Sequence, residues 1–181
     1  ILEKHYKPQN FSDHFALAFT KFLRFLADTF FKKKYGHRAV VLETVAAVPG
    51  MVAGMLLHLK SLRKMQDDKG WIKTLLDEAA NERMHLMTFI KIAKPTLLER
   101  FIIMIAQFIF IITYLIIYLI SQKTAHRIVG YFEEEAVISY SEYLKEIEEG
   151  KIENIKAPEI AINYWNLPLN SRLKDVIEVI R

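Results

Sequence analysis

The chain has 181 residues, no cysteine, 12 Phe and 8 Tyr, and 52% of its residues are hydrophobic. This length suits one domain with a sizeable core, and the lack of cysteine excludes disulfides and thiolate metal sites within these residues. The apolar share exceeds that of an ordinary soluble domain and indicates contact with a membrane.

The formal net charge of +4 conceals an uneven distribution, because basic residues dominate the front of the chain and acidic residues dominate after about position 128. The basic residues are interleaved with apolar runs. This pattern favours an anionic membrane surface over a nucleic acid as the binding partner. The chain starts at Ile1 without a signal or transit peptide pattern, so we expect a piece of a longer protein.

The first predicted helix, residues 11–34, is amphipathic and aromatic. Its apolar positions recur at a spacing of three to four: Phe11, Phe15, Phe19, Phe22, Leu26 and Phe30. Polar residues take the other side (Asp13, Lys21, Arg24 and Asp28), and the helix ends in Lys32, Lys33 and Lys34. Such a helix is typical of a membrane interface. The alternative is an ordinary helix whose apolar side faces a core.

The second predicted helix covers residues 38–64, with Gly36 as its start boundary. Glu43 shares a stripe with small residues, Ala39, Ala46, Ala47, Gly50 and Gly54. The glycine pair matches a transmembrane dimer motif, but we favour close packing in a tight interior. A lone carboxylate on such a face is costly unless it is paired or bound to a cation.

A Glu-x-x-His motif lies in the third predicted helix, residues 71–93. Glu82 and His85 are three residues apart, so both side chains lie on one face and can reach one metal ion. One such pair is half of the ligand signature of di-iron carboxylate bundles. Taken alone, the pair also fits a solvated helix face.

Residues 101–120 contain no charge and form a transmembrane candidate by length. Helical geometry argues against a span. Measured from the turns at 95 and 122, Glu82 and Glu133 lie ~19 Å and ~16 Å away along antiparallel helices. Both residues then lie at nearly the same height, beside the middle of residues 101–120. If that helix spanned the bilayer, these ionisable residues would lie at its centre, which is costly. We predict a monotopic protein whose helices 1 and 4 lie in one leaflet.

The rest of the chain supplies one more inward carboxylate. On helix 5, residues 125–149, Glu133 shares a stripe with Ala136 and Tyr140. Residues 151–170 are predicted to be irregular, and a last helix begins near Ser171. Four ligands, Glu43, Glu82, His85 and Glu133, then face one interior. This predicts an all-α, ferritin-like di-iron four-helix bundle with two additional membrane-interface helices.

Four long stretches of the sequence resemble the alternative oxidases, the cyanide-insensitive ubiquinol oxidases of mitochondria and some bacteria. They are residues 42–51 (LETVAAVPGM), 81–85 (NERMH), 133–137 (EEEAV) and 164–167 (YWNL). The resemblance implies iron ligation by Glu43, Glu82, His85 and Glu133, with two iron ions in all. It also implies a second Glu-x-x-His shortly after Arg181, so we expect residues 1–181 to form a single di-iron oxidase domain lacking the end of its last bundle helix, and the piece itself to be inactive.

The same resemblance implies a quinol pocket between the metal centre and the membrane. Its lining would be Arg24, Asp28, Arg38, Leu42, Glu135, Ala136 and Ser139. Tyr140 matches a tyrosine near the irons that serves electron or proton transfer, and four positions match residues around the ligands: Asn81, His126, Tyr164 and Trp165. Ser139, often Thr in relatives, and Phe132, often Leu, are mild departures that bear on pocket shape.

The implied activity is four-electron reduction of oxygen to water by ubiquinol, without proton pumping, in a homodimer. Its place would be the cytoplasmic face of a bacterial inner membrane or the matrix face of a mitochondrial one. Two alternatives remain open. One is a plastid-type terminal oxidase or another di-iron quinone-linked oxygenase, and the other is a non-enzymatic membrane bundle whose acids are structural.

Overall fold

The computed structural model describes residues 5–31 and 34–181, and these residues form seven α-helices. In chain order they are α1 (Phe11–Phe31), α2 (Tyr35–Lys64), α3 (Trp71–Ala93), α4 (Leu97–Ile120), α5 (Gln122–Glu148), α6 (Glu159–Trp165) and α7 (Leu173–Ile180). The prediction of an all-α fold is confirmed. Lys32 and Lys33, part of the predicted basic helix end, lie outside the described residues.

Helix α2 starts earlier than predicted. The Arg38 N–H donates to the Lys34 carbonyl over 2.9 Å, which places Gly36 inside the first turn rather than at a boundary. The turn between α4 and α5 is also tighter than expected. Its single residue, Ser121, serves both helices: its N–H donates to Ile117 over 2.8 Å, and its hydroxyl accepts from the Thr124 N–H over 3.2 Å.

A short helix interrupts the segment that the sequence predicts to be irregular. Helix α6 follows Pro158 and ends at Asn166, which adopts a left-handed conformation with φ 52°. Proline at a helix start and asparagine just past its end are both common. Seven residues are too few to show a periodic pattern, so packing of α6 on α3 decides this element.

The bundle core joins four helices. Ala39 and Val40 of α2, Phe89 of α3, Tyr140 and Leu144 of α5, and Leu173 and Ile177 of α7 belong to one buried hydrophobic cluster. Helices α1 and α4 lie outside this core and each packs against α2 and α5. The four bundle helices therefore surround an interior, and α1 and α4 cover one side of it.

The amphipathic helix α1 is oriented with its aromatic side outward. The residues that it buries are Asp13, Ala16, Thr20 and Ala27. Phe11, Phe22, Phe25 and Phe30 are exposed, at 86%, 56%, 64% and 73% of their surface. This rules out the core-facing alternative for most of the stripe, although Phe19 does pack inward. An outward row of phenylalanines is costly in water and stable in a lipid interface.

Two helices, α2 and α4, are long and apolar enough to cross a membrane. Over half of the apolar window of α2 is buried inside the protein, whereas only 17% of that of α4 is buried. Helix α4 buries Phe110, Tyr114 and Tyr118 on one side. Its other side exposes apolar residues along the whole length, among them Leu97, Phe101, Phe108, Ile112 and Leu119.

Close packing of α2 on α3 explains the two glycines of α2. A Cβ atom added at Gly50 would lie 2.5 Å from the Leu75 carbonyl oxygen, and one at Gly54 would lie 3.2 Å from Leu76 Cδ2. The Gly-x-x-x-Gly spacing therefore serves packing within one chain, as the sequence analysis favoured.

We expect Gly50→Ala to destabilise the protein, because the added methyl group must push α3 away from α2, at a cost of about 1–3 kcal/mol. Gly130→Ala is the matched control, since a Cβ atom there meets nothing within 4 Å. That change removes only the helix penalty of glycine and should stabilise by about 0.5–1 kcal/mol. Thermal unfolding in detergent measures both, and equal shifts in the two variants would contradict the packing argument.

Candidate metal centre

Three predicted ligands meet in the bundle interior. Glu43 of α2 and Glu82 and His85 of α3 offer ligand atoms that all lie within 4.8 Å of one another. Glu82 and His85 meet because they stand one turn apart on α3. Glu43 joins them because the small residues of α2 let its backbone approach α3 closely.

The atoms of this cluster converge on the imidazole of His85. Its Nδ1 lies 3.3 Å from Glu82 Oε2 and 3.5 Å from Glu43 Oε2. Glu43 Oε1 accepts a hydrogen bond from the Tyr140 hydroxyl, while Glu43 Oε2 is buried with no hydrogen-bond partner among the described residues. A buried carboxylate oxygen left unpaired is costly, and a cation among two carboxylates and one imidazole would satisfy it. These residues fit a metal ion.

The two carboxylates and the imidazole of the cluster shift one another's pKa. Burial raises the pKa of Glu43 to about 7, although the nearby His85 imidazole opposes this. Burial alone would lower the pKa of His85, but the Glu43 and Glu82 carboxylates raise it to about 9. For Glu82, the effect of burial is outweighed by the close contacts with His85 and Glu43, so its pKa is lowered. Without metal, the protonated imidazole thus serves as counter-charge for the carboxylates.

Glu133 is the predicted ligand that does not join this cluster. It lines the same cavity from α5, but its side chain is exposed. The surrounding protein still removes enough water to raise its pKa to about 7, with Glu82 and Glu78 adding repulsion. Sequence reasoning passed over Glu78, which lies one turn before Glu82 on α3.

Of the four residues expected around the ligands, three lie near His85: Asn81, Tyr164 and Trp165. The Asn81 amide nitrogen lies 3.3 Å from His85 Nε2, and the Tyr164 hydroxyl donates to Asn81 Oδ1 over 3.3 Å. Trp165 stacks on the His85 ring with 5.6 Å between centroids. His126 is different. It is exposed, contacts Tyr118 edge-on, and lies two helical turns before Glu133 on α5. The structure does not bring His126 to the cluster.

Tyr140 lies beside the cluster, as predicted. It is 6% exposed and stacks on Phe89 with 5.7 Å between ring centroids. Burial, with the nearby Glu43 carboxylate, raises the pKa of its phenol well above the ordinary value. The neutral hydroxyl therefore keeps its proton and directs it at Glu43 Oε1.

One cavity connects the ligand cluster with the predicted quinol pocket. Its wall includes Glu43, Glu82, His85, Glu133 and Tyr140, together with all seven residues predicted for the pocket: Arg24, Asp28, Arg38, Leu42, Glu135, Ala136 and Ser139. Helices α1, α2 and α5 supply these seven residues. The cavity thus lies between the bundle interior and α1, whose aromatic side faces outward.

A network of charged groups lines the outer part of this cavity. Arg38 donates to Asp28 Oδ1 over 2.6 Å and to the Ser139 hydroxyl over 2.5 Å. Arg24 contacts Asp28 over 3.4 Å and donates to Glu135. Glu142, which the sequence analysis did not single out, also accepts from Arg24 over 3.3 Å. Its position two turns after Glu135 on α5 was the available signal.

Comparisons with known proteins place the chain in a family. The profile of the family described as "Alternative oxidase" matches residues 1–181. The chain is 58% identical over 180 residues to "Ubiquinol oxidase 2, mitochondrial" of Glycine max, with 99% of this chain and 54% of that protein covered. The protein of the same name from Nicotiana tabacum is 58% identical, with 99% and 61% covered. That of Arabidopsis thaliana is 57% identical, with 99% and 51% covered.

The chain therefore spans little more than half the length of these curated relatives. The family match nevertheless extends over every residue that builds the metal cluster and the cavity. The charged cluster, the helical bundle and the similarity along the whole chain lead to one conclusion: this chain belongs to the alternative oxidase family.

Proposed function

We propose that this chain is the catalytic part of a membrane-bound ubiquinol oxidase. Its reaction takes four electrons from two quinols, reduces oxygen to water and pumps no protons, and cyanide does not inhibit it. The proposal rests on one observation: the same cavity has a carboxylate and histidine cluster at its inner end and the paired arginines Arg24 and Arg38 at its outer end. The printed names of the relatives support the same reaction.

The metal ligands in this proposal are Glu43, Glu82 and His85, with Glu133 contributing from the facing wall of the cavity. Two iron ions bound by such carboxylate and imidazole ligands would supply the redox chemistry that passes electrons from quinol to oxygen. The family resemblance assigns the remaining ligands to a second Glu-x-x-His, a motif that occurs only once in these 181 residues.

The quinol head is proposed to bind at the outer end of the cavity. Arg38 donates to the Ser139 hydroxyl there. In this proposal the guanidinium also donates a hydrogen bond to an oxygen of the quinol ring. Glu135 supplies a carboxylate oxygen that can accept the hydrogen of a quinol hydroxyl. Leu42 and Ala136 form apolar wall against which the ring packs.

Tyr140 is proposed as the group that links the quinol to the metal ligands. It lines the cavity, and its hydroxyl proton lies on the hydrogen bond to Glu43 Oε1. A change in the charge of Glu43 therefore directly alters the electrostatic attraction on this proton. Phe89, stacked on the ring, holds the phenol in that position.

Membrane attachment is proposed through α1 and α4, whose outward apolar residues would enter one leaflet. The names of the relatives contain the word "mitochondrial" and so favour a mitochondrial location over a bacterial one. A homodimer is also part of the proposal. Met51 and His58 on α2 are exposed and available for a partner helix, whereas Leu56 packs into the core of its own chain.

We expect iron binding to depend on Glu43. Glu43→Gln keeps an oxygen that accepts from Tyr140 but removes the charge, so the iron content of the full-length protein should fall to half or less. Glu153→Gln, at an exposed glutamate, is the matched control and should retain the iron of the unchanged protein. Elemental analysis measures both, and full iron in Glu43→Gln would contradict the assigned ligand.

The oxidase reaction itself is tested by oxygen uptake of the full-length protein with ubiquinol in the presence of cyanide. We expect two quinols consumed per oxygen and no hydroxylated quinone, whereas a hydroxylated product would identify an oxygenase. Tyr140→Phe should lower kcat at least about tenfold, because it removes the proton at Glu43. Tyr143→Phe, one turn further and stacked on Tyr35, should leave kcat unchanged.

Membrane attachment is tested at the outward face of α4. Phe108→Asp places a charge on the exposed apolar side of α4, near the middle of the helix, and should weaken vesicle binding by about tenfold or more. Leu169→Asp is the control, because Leu169 is 82% exposed but lies outside α1 and α4. Flotation of the full-length protein with liposomes measures both variants. Equal flotation of Phe108→Asp and unchanged protein would remove α4 from the membrane face.

A further inference from the structure

The segment before α1 runs along the outer side of α5. We name residues 5–10 the N-terminal strap. The Tyr6 N–H donates to Glu134 Oε2 over 3.1 Å, and the Tyr6 carbonyl accepts from the Tyr131 hydroxyl over 3.1 Å. The Arg127 guanidinium lies over the Tyr6 ring, with Arg127 Cζ 4.2 Å from the ring centroid. These contacts fix the strap on two successive turns of α5.

A second set of contacts anchors the strap at its other end. The Gln9 N–H donates to Asp13 Oδ2 over 3.0 Å, and the other oxygen of Asp13 contacts Arg127 over 3.1 Å. Asp13 is 1% exposed, so this ion pair is protected from solvent on the acid side. Because Arg127 contacts both Asp13 and Tyr6, one residue of α5 holds both ends of the strap.

His5, at the start of the strap, bridges two carboxylates of α5. Its Nδ1 lies 2.9 Å from Glu134 Oε2, and its Nε2 lies 2.8 Å from Glu135 Oε1. Each ring nitrogen of His5 thus lies against one of the two carboxylates. The three side chains are shielded, with 18%, 31% and 13% of their surfaces exposed.

The contact with Glu135 reaches the cavity. One oxygen of Glu135 faces His5, while the other accepts from Arg24. Arg24 in turn contacts Asp28, which accepts from Arg38 over 2.6 Å. His5 thus stands at the outer end of a chain of contacts between charged and polar side chains that ends at the proposed quinol site.

We propose that His5 is a positioning residue for the quinol site, which holds the Glu135 carboxylate, and through it Arg24, in the orientation that quinol requires. The inference rests on the proposed function. A carboxylate held from both sides cannot rotate, so both oxygens stay aimed at their partners. Losing one partner frees that rotation and displaces the charges at the cavity wall, which weakens binding of a polar head group.

The test compares His5→Ala, His5→Gln and Lys7→Ala in the full-length protein reconstituted in liposomes. In His5→Ala we expect KM for ubiquinol to rise about fivefold, with kcat and iron content unchanged. Binding of ubiquinone-1, measured by titration calorimetry without turnover, should weaken equally. His5→Gln keeps one hydrogen-bond donor, so its KM should lie between that of the unchanged protein and that of His5→Ala. Lys7→Ala changes an exposed strap residue and should match unchanged protein.

Two results would overturn the inference. The first is a KM in His5→Ala equal to that of the unchanged protein. The second is a constant KM accompanied by lower kcat, lower iron content and a lower melting temperature, because that pattern marks a purely structural role. If His5→Ala does not fold, the KM of His5→Gln decides in the same way. Failure of the unchanged protein to oxidise quinol contradicts the proposed function, and the inference falls with it. Normal oxidation with an unaltered KM in the variants overturns the inference alone.

Discussion

The structure depends on the burial of acidic side chains inside a helical bundle. Glu43 is 4% exposed, and removing a carboxylate from water costs several kcal/mol unless other groups compensate. Here Tyr140 donates to one oxygen, and His85 faces the other. Both partners come from different helices, so α2, α3 and α5 must keep their relative positions. A bound cation would strengthen this arrangement, and folding would then be linked to metal binding.

The same constraint shapes the side of the protein that faces the proposed membrane. A quinol is apolar except for its head, so its site must be reached from lipid and yet offer polar partners. Helix α1 meets both needs, since its outward side is phenylalanine and its inward side carries Arg24 and Asp28. The charges of the cavity are paired with one another, which keeps them stable beside an apolar surface.

Several features followed from the sequence because local chemistry decides them. The Glu-x-x-His spacing of Glu82 and His85 requires only that α3 be a helix, and the periodic pattern makes that secure. The break at Pro95 is reinforced by the capping box of Thr96 and Glu99, another short-range device. Residues of the quinol pocket came from the resemblance to the family, and their roles stay predictions until the variants are measured.

Sequence alone thus determined the long helices, the inward stripe of Glu43 and the pairing of Glu82 with His85, because these depend on neighbours within one or two turns. The short helix α6 was not among them. Only the tertiary structure decided that α1 turns its phenylalanines outward, that Glu133 stays apart from the cluster and that His126 lies away from it. It also decided the contacts of Glu142 and His5, which meet Arg24 and Glu135 across more than a hundred residues. A periodic pattern shows which side of a helix is buried, but it does not show which other element packs against that side.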